Sequence, residues 1–210
     1  ALCSLSDALR NLGRMEESRE HFERALRLRP DYPEARFNQA LWHLVQGNLP
    51  AGWPDYEARW RLKGARPAPK LTQPAWDGSA LPDQAILLYA EQGHGDTIQF
   101  IRYAQQVKAR VGRVSLRCPA ALVALAATCP GIDFVAANLD AIPPFDVQAA
   151  LLSLPGIFQT GLATIPAGPA YLRAAEALTQ AWRSELPLTG PLKVGIVWQG
   201  SPKHHDDRKR

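Results

Sequence analysis

Leu2, Leu5, Leu9 and Leu12 recur at three- and four-residue steps, the spacing that lines one face of a helix, and Gly13 ends the run. A second helical pattern runs from about Met15 to Leu28, turns Phe22, Ala25 and Leu26 inward, and stops before Pro30. The pattern then restarts: Phe37, Leu41 and Leu44 lead to Gly47, and Trp53, Tyr56 and Trp60 follow. From Lys63 the character changes. The stretch KGARPAPKLTQPAWDGSALPD carries Pro67, Pro69, Pro74 and Pro82 and cannot continue a helix. Beyond it, apolar runs alternate with helical patterns. Strands are predicted at 85–90, 114–118, 132–135 and 145–148, and helices at 96–110, 120–128, 151–159 and 174–186. Such alternation predicts a parallel sheet with right-handed crossovers.

Gly13 and Gly47 lie one period apart, at the roughly 34 residues of a helix–turn–helix repeat. Ser6, Ser18, Phe22, Ala25 and Pro30 occupy small, small, aromatic, small and proline positions, and in these the first unit resembles a tetratricopeptide repeat. Small residues are needed where the paired helices cross, because a larger side chain holds the backbones apart. The second unit keeps the pattern at Ala40, Gly52 and Tyr56, but Arg59 stands where a small residue belongs. That departure suits a last repeat, whose outer face meets something other than another repeat. A stub of this size is expected to serve as a spacer packed on its neighbour more than as a long groove for a peptide. The predicted organisation is α plus α/β: repeats at 1–62, a linker at 63–84, a Rossmann-like domain at 85–187, and the start of a second such domain at 188–210, where LKVGIVWQG reads as another buried strand.

Composition adds limits. Hydrophobic residues make up 46% and charged residues 21%, as in an ordinary globular protein, and no apolar run reaches the roughly 20 residues of a membrane helix. The net charge of +4 is mild, and no reader motif accompanies the basic run Arg102, Lys108, Arg110, Arg113 and Arg117, so nucleic acid is not an expected partner. Cys3, Cys118 and Cys129 have neither metal-ligand spacing nor an even count for disulfides, and a cytoplasmic setting is expected. No metal or cofactor is expected; His204, His205, Asp206 and Asp207 are adjacent in sequence, and such side chains diverge in an extended loop. Ala1 opens inside a helical pattern and Arg210 closes a polar run, so the chain reads as part of something longer, with more repeats expected before Ala1.

The candidate chemistry sits in AILLYAEQGHGDTIQFIRY, where an apolar strand meets a helix through Gly93, His94, Gly95 and Asp96. A dinucleotide fingerprint needs a third glycine where Ile98 stands, and an acid about 20 residues on is missing. A phosphate-binding P-loop needs a lysine after the glycines, and none follows. Two compatible readings remain. Asp96 caps the following helix, with Gln99 three residues on. Or Asp96 is a general base at the ligand-binding edge of a parallel sheet, with glycines that let an acceptor approach.

EQGHGDTIQFIRY, preceded by WDGS and followed by VGIVWQGSPKHHDDRKR, resembles the glycosyltransferases related to bacterial heptosyltransferases, glycosyltransferase family nine, in the branch with tetratricopeptide repeats in front. The likeness runs from the last repeat to Arg210. It implies a GT-B architecture of two Rossmann-like domains and inverting, metal-independent transfer from a nucleotide-sugar to an acceptor hydroxyl on a protein or glycan. Carried over by motif, Asp96 is the base, while Gly93, His94 and Gly95 shape the acceptor loop. Gly200, Ser201, Arg208, Lys209 and Arg210 fall on the donor side, where cations would stabilise the leaving diphosphate. By the same resemblance most of the donor domain is missing, so these 210 residues alone are expected to be inactive. The alternative is a non-catalytic interaction protein, repeats joined to a Rossmann-like scaffold.

Overall fold

A computed structural model describes residues 1–65, 67–168, 170–186 and 194–196. Residues 1–173 form one compact unit and residues from Ala174 onward a second. The first unit begins with α1 (Leu2–Asn11), α2 (Met15–Leu28), α3 (Pro33–Val45) and α4 (Leu49–Tyr56), the last running into a 3-10 turn at Glu57–Arg61. Gly13 and Gly47, both at φ +76°, close the first helix of each pair in the left-handed region where a side chain is strained.

At the first crossing Ser6 and Ser18 are buried and bonded to each other. Ser6 Oγ donates to the Ser18 carbonyl at 3.0 Å, and Ser18 Oγ donates to the Ser6 carbonyl at 2.8 Å. A hydroxyl at each position therefore satisfies the other helix while keeping the backbones close. At the second crossing Gly52 is required: a Cβ there would lie 2.7 Å from Leu44 Cγ and 3.1 Å from the Ala40 carbonyl oxygen. The face of α1 differs from the expected leucine stripe. Cys3, Ser6 and Leu9 are buried, whereas Leu5 and Leu12 are 46% and 72% exposed. The reason is geometric: α2 and α3 both pack on the Cys3–Ser6–Leu9 face, and Asn38 of α3 donates Nδ2 to the Cys3 carbonyl.

The sheet has four parallel strands in the order β3-β2-β1-β4: β1 (Leu81–Tyr89), β2 (Val111–Arg117), β3 (Phe134–Ala136) and β4 (Val147–Ala150). It is the Rossmann-like α/β arrangement expected from the alternation of strands and helices. Central β1 is buried from Ala85 through Tyr89, as a strand covered on both faces must be. It starts four residues earlier than its apolar run, because Leu81 pairs with Val111 before a bulge at the exposed Pro82, Asp83 and Gln84. Gly112 accepts that bulge; a Cβ on it would come within 2.4 Å of the Pro82 carbonyl oxygen. The fourth strand lies slightly later than predicted, at Val147–Ala150.

The helix expected at 96–110 is two helices, α5 (His94–Phe100) and α6 (Ala104–Lys108), separated by a 3-10 turn at Ile101–Tyr103. Two short helices complete the first unit, α7 (Val123–Ala126) and α8 (Leu154–Ile157). The linker does not hang free. Ala75 makes a parallel bridge to Gln148, with Trp76 N–H donating to the Gln148 carbonyl at 2.8 Å and Gln148 N–H donating to the Pro74 carbonyl at 3.0 Å. Trp76 is buried and donates Nε1–H to the Ser79 carbonyl, so it anchors the linker. In the second unit α9 (Glu176–Glu185) shortens the predicted helix by a residue or two at each end, and Leu178 and Trp182 are exposed on it. The strand expected within 192–200 lies outside the described residues except for 194–196, which carry no regular structure.

Candidate functional site

From β1 the chain proceeds to β2 and β3 on one side and then crosses to β4 on the other. The strand order thus switches between β1 and β4, and open α/β sheets hold ligands outside the carboxyl ends of the strands at such a point. Here those ends are Tyr89 and Ala150, followed by Ala90–Glu91–Gln92 and by a 3-10 turn at Leu151–Ser153.

The last repeat reaches into this place. Arg59 is 6% exposed, and its guanidinium spans four partners: Nη2–H donates to Glu91 Oε1 at 3.0 Å and to Ser153 Oγ at 2.7 Å, and Nη1–H donates to Glu57 Oε1 at 2.6 Å and to the Tyr56 carbonyl at 3.4 Å. The cation also lies 5.0 Å from the Tyr56 ring centre and 4.7 Å from that of Trp60. Glu91 is buried, and burial pushes its carboxyl above the ordinary carboxylate range while Arg59 pulls the other way. Glu91 Oε2 and Arg59 Nε are buried with no hydrogen-bond partner among the described residues. Beside them Gln92 Nε2–H donates to the Tyr56 hydroxyl at 3.1 Å, a second tie between repeat and loop. Burial raises the Tyr56 phenol and, more strongly, that of Tyr89, pushed up to about 12.

Asp96 occupies a different position from the one its motif suggested. Helix α5 starts at His94, so Gly93 is the N-cap and Asp96 is the third helical residue. The Asp96 carboxylate accepts the Gly93 N–H through Oδ2 at 3.0 Å, and glycine has no side chain to return the bond. The cap reading therefore holds in function but not in position, and Gln99 plays no part in it: its Oε1 accepts from Arg102 instead. Asp96 is partly exposed, its Oδ1 has no hydrogen-bond partner among the described residues, and His94 and Gly95 are exposed beside it. A side chain added at Gly95 would meet nothing within 4 Å. Gly200, Ser201, Arg208, Lys209 and Arg210 lie outside the described residues, as do His204–Asp207 of the sequence.

Two cavities flank the Arg59–Glu91 pair. One, of about 580 Å³, is walled by Trp53, Trp60, Trp76 and Tyr89 together with residues around β4. The other, of about 280 Å³, is bordered by Phe37, Arg59, Trp60, Lys63, Glu91 and Gln92. Asp96 lines neither. Arg59 stands out in the sequence as a departure from the repeat pattern, but Glu91 is 32 positions away and no spacing rule connects the two. The one available signal was a glutamate directly after the central strand, at the edge where ligands bind. Among the described residues no cluster of histidine, cysteine, aspartate or glutamate could hold a metal ion, the three cysteines are free and buried, and no helix is long and apolar enough to cross a membrane.

The repeat half carries a family signature: residues 7–47 match the model of the TPR repeat. Over 226 aligned positions, covering 95% of it, the chain is 28% identical to Protein FlbA of Caulobacter vibrioides, and it spans 37% of that relative's length. No solved structure matches it. By sequence the chain is thus similar to the TPR repeat in its first helices and to FlbA along nearly all of its length.

Proposed function

We propose that this chain is the acceptor-side part of an inverting glycosyltransferase in which Asp96 removes the proton from an acceptor hydroxyl. The observation that supports this reading is the state of that carboxylate. Oδ2 is tied to the Gly93 N–H, which fixes its direction, while Oδ1 stays unbonded on a partly exposed residue just past the carboxyl end of the central strand. A base needs that combination of fixed orientation and a free lone pair. In the reaction the acceptor O–H proton passes to Asp96, the oxygen attacks the anomeric carbon of a nucleotide-sugar, and the bond from that carbon to the nucleoside diphosphate breaks. No metal takes part in this reading; Gly93, His94 and Gly95 leave room for the acceptor, and Gly200, Ser201, Arg208, Lys209 and Arg210 belong to the donor side.

The test is Asp96→Asn in the whole protein, assayed for release of nucleoside diphosphate from a panel of nucleotide-sugars. Loss of about 10²–10⁴-fold in turnover with donor binding kept is expected. An Asp96→Asn protein that transfers sugar at the original rate sinks the reading.

The second reading is an interaction scaffold. Its support is Arg59, which fills part of the crevice where a doubly wound sheet ordinarily takes its ligand, together with the TPR match. On this reading Asp96→Asn changes nothing beyond a cap worth about 1 kcal/mol.

A further inference from the structure

The larger cavity is a chemically specific place. Its volume of about 580 Å³ falls within the roughly 300–1,000 Å³ of small-molecule sites, and it lies at the switch point where such sites occur. Its walls are aromatic. Trp53 and Trp76 spend their indole N–H groups elsewhere, on the Thr160 and Ser79 carbonyls at 3.0 Å each, and present only ring surface. Trp60 is half-buried, and Arg59 covers it at 4.7 Å. Between these rings stand polar groups with unused capacity. The Tyr89 hydroxyl, the Trp60 indole N–H and the Gln148 side-chain amide make no hydrogen bond among the described residues. Ser153 Oγ accepts from Arg59 and keeps its own proton to donate.

The charge pattern narrows the ligand further. Among the described residues no lysine or arginine lines this cavity, and the one carboxylate, Glu57, is paired with Arg59. A phosphate or carboxylate ligand would meet no counter-charge and one like charge. A purely apolar ligand fails for the opposite reason. It would strand the Tyr89 hydroxyl, on a residue 5% exposed, as an unmet buried polar group. Rings to lie against, neutral donors and acceptors around them, and no free charge suit a molecule that is apolar on its faces and hydroxylated at its rim.

We propose that this cavity binds an uncharged saccharide, its ring laid against Trp60 and its hydroxyls bonded to Gln148, Ser153 and Tyr89. Asp96 does not line the cavity, so the proposal stands or falls without the transfer reaction.

The test is calorimetric titration of the 210-residue chain with the methyl glycosides of glucose, galactose and N-acetylglucosamine, beside the same sugars carried on a serine glycopeptide. Saturable binding in either arm is the expected result, and the tighter arm tells a free sugar from a protein-borne glycan. Glucose 6-phosphate should bind at least about tenfold more weakly than methyl glucoside, since the added charge meets no cation. Gln148→Ala should weaken binding about tenfold and Trp60→Ala by at least as much. Gln148 is half-buried and its amide holds no partner, so its variant keeps the test open even where Trp60→Ala does not fold. Absence of saturable binding in both arms overturns the proposal. So does equal affinity for the phosphorylated sugar, or affinity unchanged in a folded Gln148→Ala protein.

Discussion

Replacing Arg59 by methionine removes the one cation that, among the described residues, Glu91 touches at the sheet edge. Glu91 is left 9% exposed and charged, with Oε1 stripped of its donor and Oε2 already without one. Breaking a buried pair from one side costs about 3–5 kcal/mol, because the surviving charge has no solvent to return to. Against a typical stability of roughly 5–15 kcal/mol, the variant should still fold. Its melting temperature should fall by roughly 10 °C, at about 2–4 °C per kcal/mol for a chain of this size. Replacing both partners, Arg59→Met with Glu91→Met, should recover most of that loss, since no charge is then buried; the coupling in the double-mutant cycle should exceed about 2 kcal/mol.

The pH dependence carries the same signature with a definite sign. Burial holds the Glu91 carboxyl above its ordinary value, so over the interval between the two values the folded state keeps a proton that the unfolded chain has released. Wild-type stability attributable to Glu91 therefore falls as pH rises through that interval, and Glu91→Gln should flatten the fall. Urea unfolding followed by tryptophan fluorescence, at several pH values and fixed salt, reads the free energies, and a thermal melt reads the shift in melting temperature. The reasoning is refuted if Arg59→Met costs under about 1 kcal/mol, the figure for an exposed pair, or if the two single effects simply add.

Two further expectations concern the scaffold. Ser18→Val removes the bond from Ser18 Oγ to the Ser6 carbonyl and the contact between the two hydroxyls, and adds a methyl group where Ser6 and Ser18 already touch, so thermal unfolding should show a loss of about 2 kcal/mol. Gly112→Ala sets a Cβ against the Pro82 carbonyl oxygen and should cost about 1–3 kcal/mol, whereas Gly95→Ala, which points into open space, should stay within about 0.5 kcal/mol.

The periodic features were readable directly. The helices of both repeats, the glycines that close them and the strand-then-helix alternation follow from local side-chain pattern, and all appear within a few residues of their predicted places. The start of β1 was not readable, because Pro82, Asp83 and Gln84 look like loop; the pairing of Leu81 with Val111 is a tertiary fact. Asp96 shows how a local rule slips. An acid before an apolar run signals a helix start, but the small residues Gly93 and Gly95 allow the helix to begin earlier, moving the acid from the cap to the third residue. The leucine stripe of α1 misled for a related reason: periodicity tells which residues share a face, while neighbours decide which face is covered. The site itself is assembled from the last repeat, the linker edge, the end of β1 and the turn after β4, segments that sequence spacing does not relate.

One apolar cluster runs without interruption from Ala40, Trp53 and Tyr56 through Trp76 to Ile86 and Leu88 of the central strand. The proline-rich stretch consequently marks where the kind of element changes, and no thermodynamic seam lies beneath it. Severing the chain there would strip the sheet of its indole cover and leave two sticky halves, so the helices and the strands hold together as a single object.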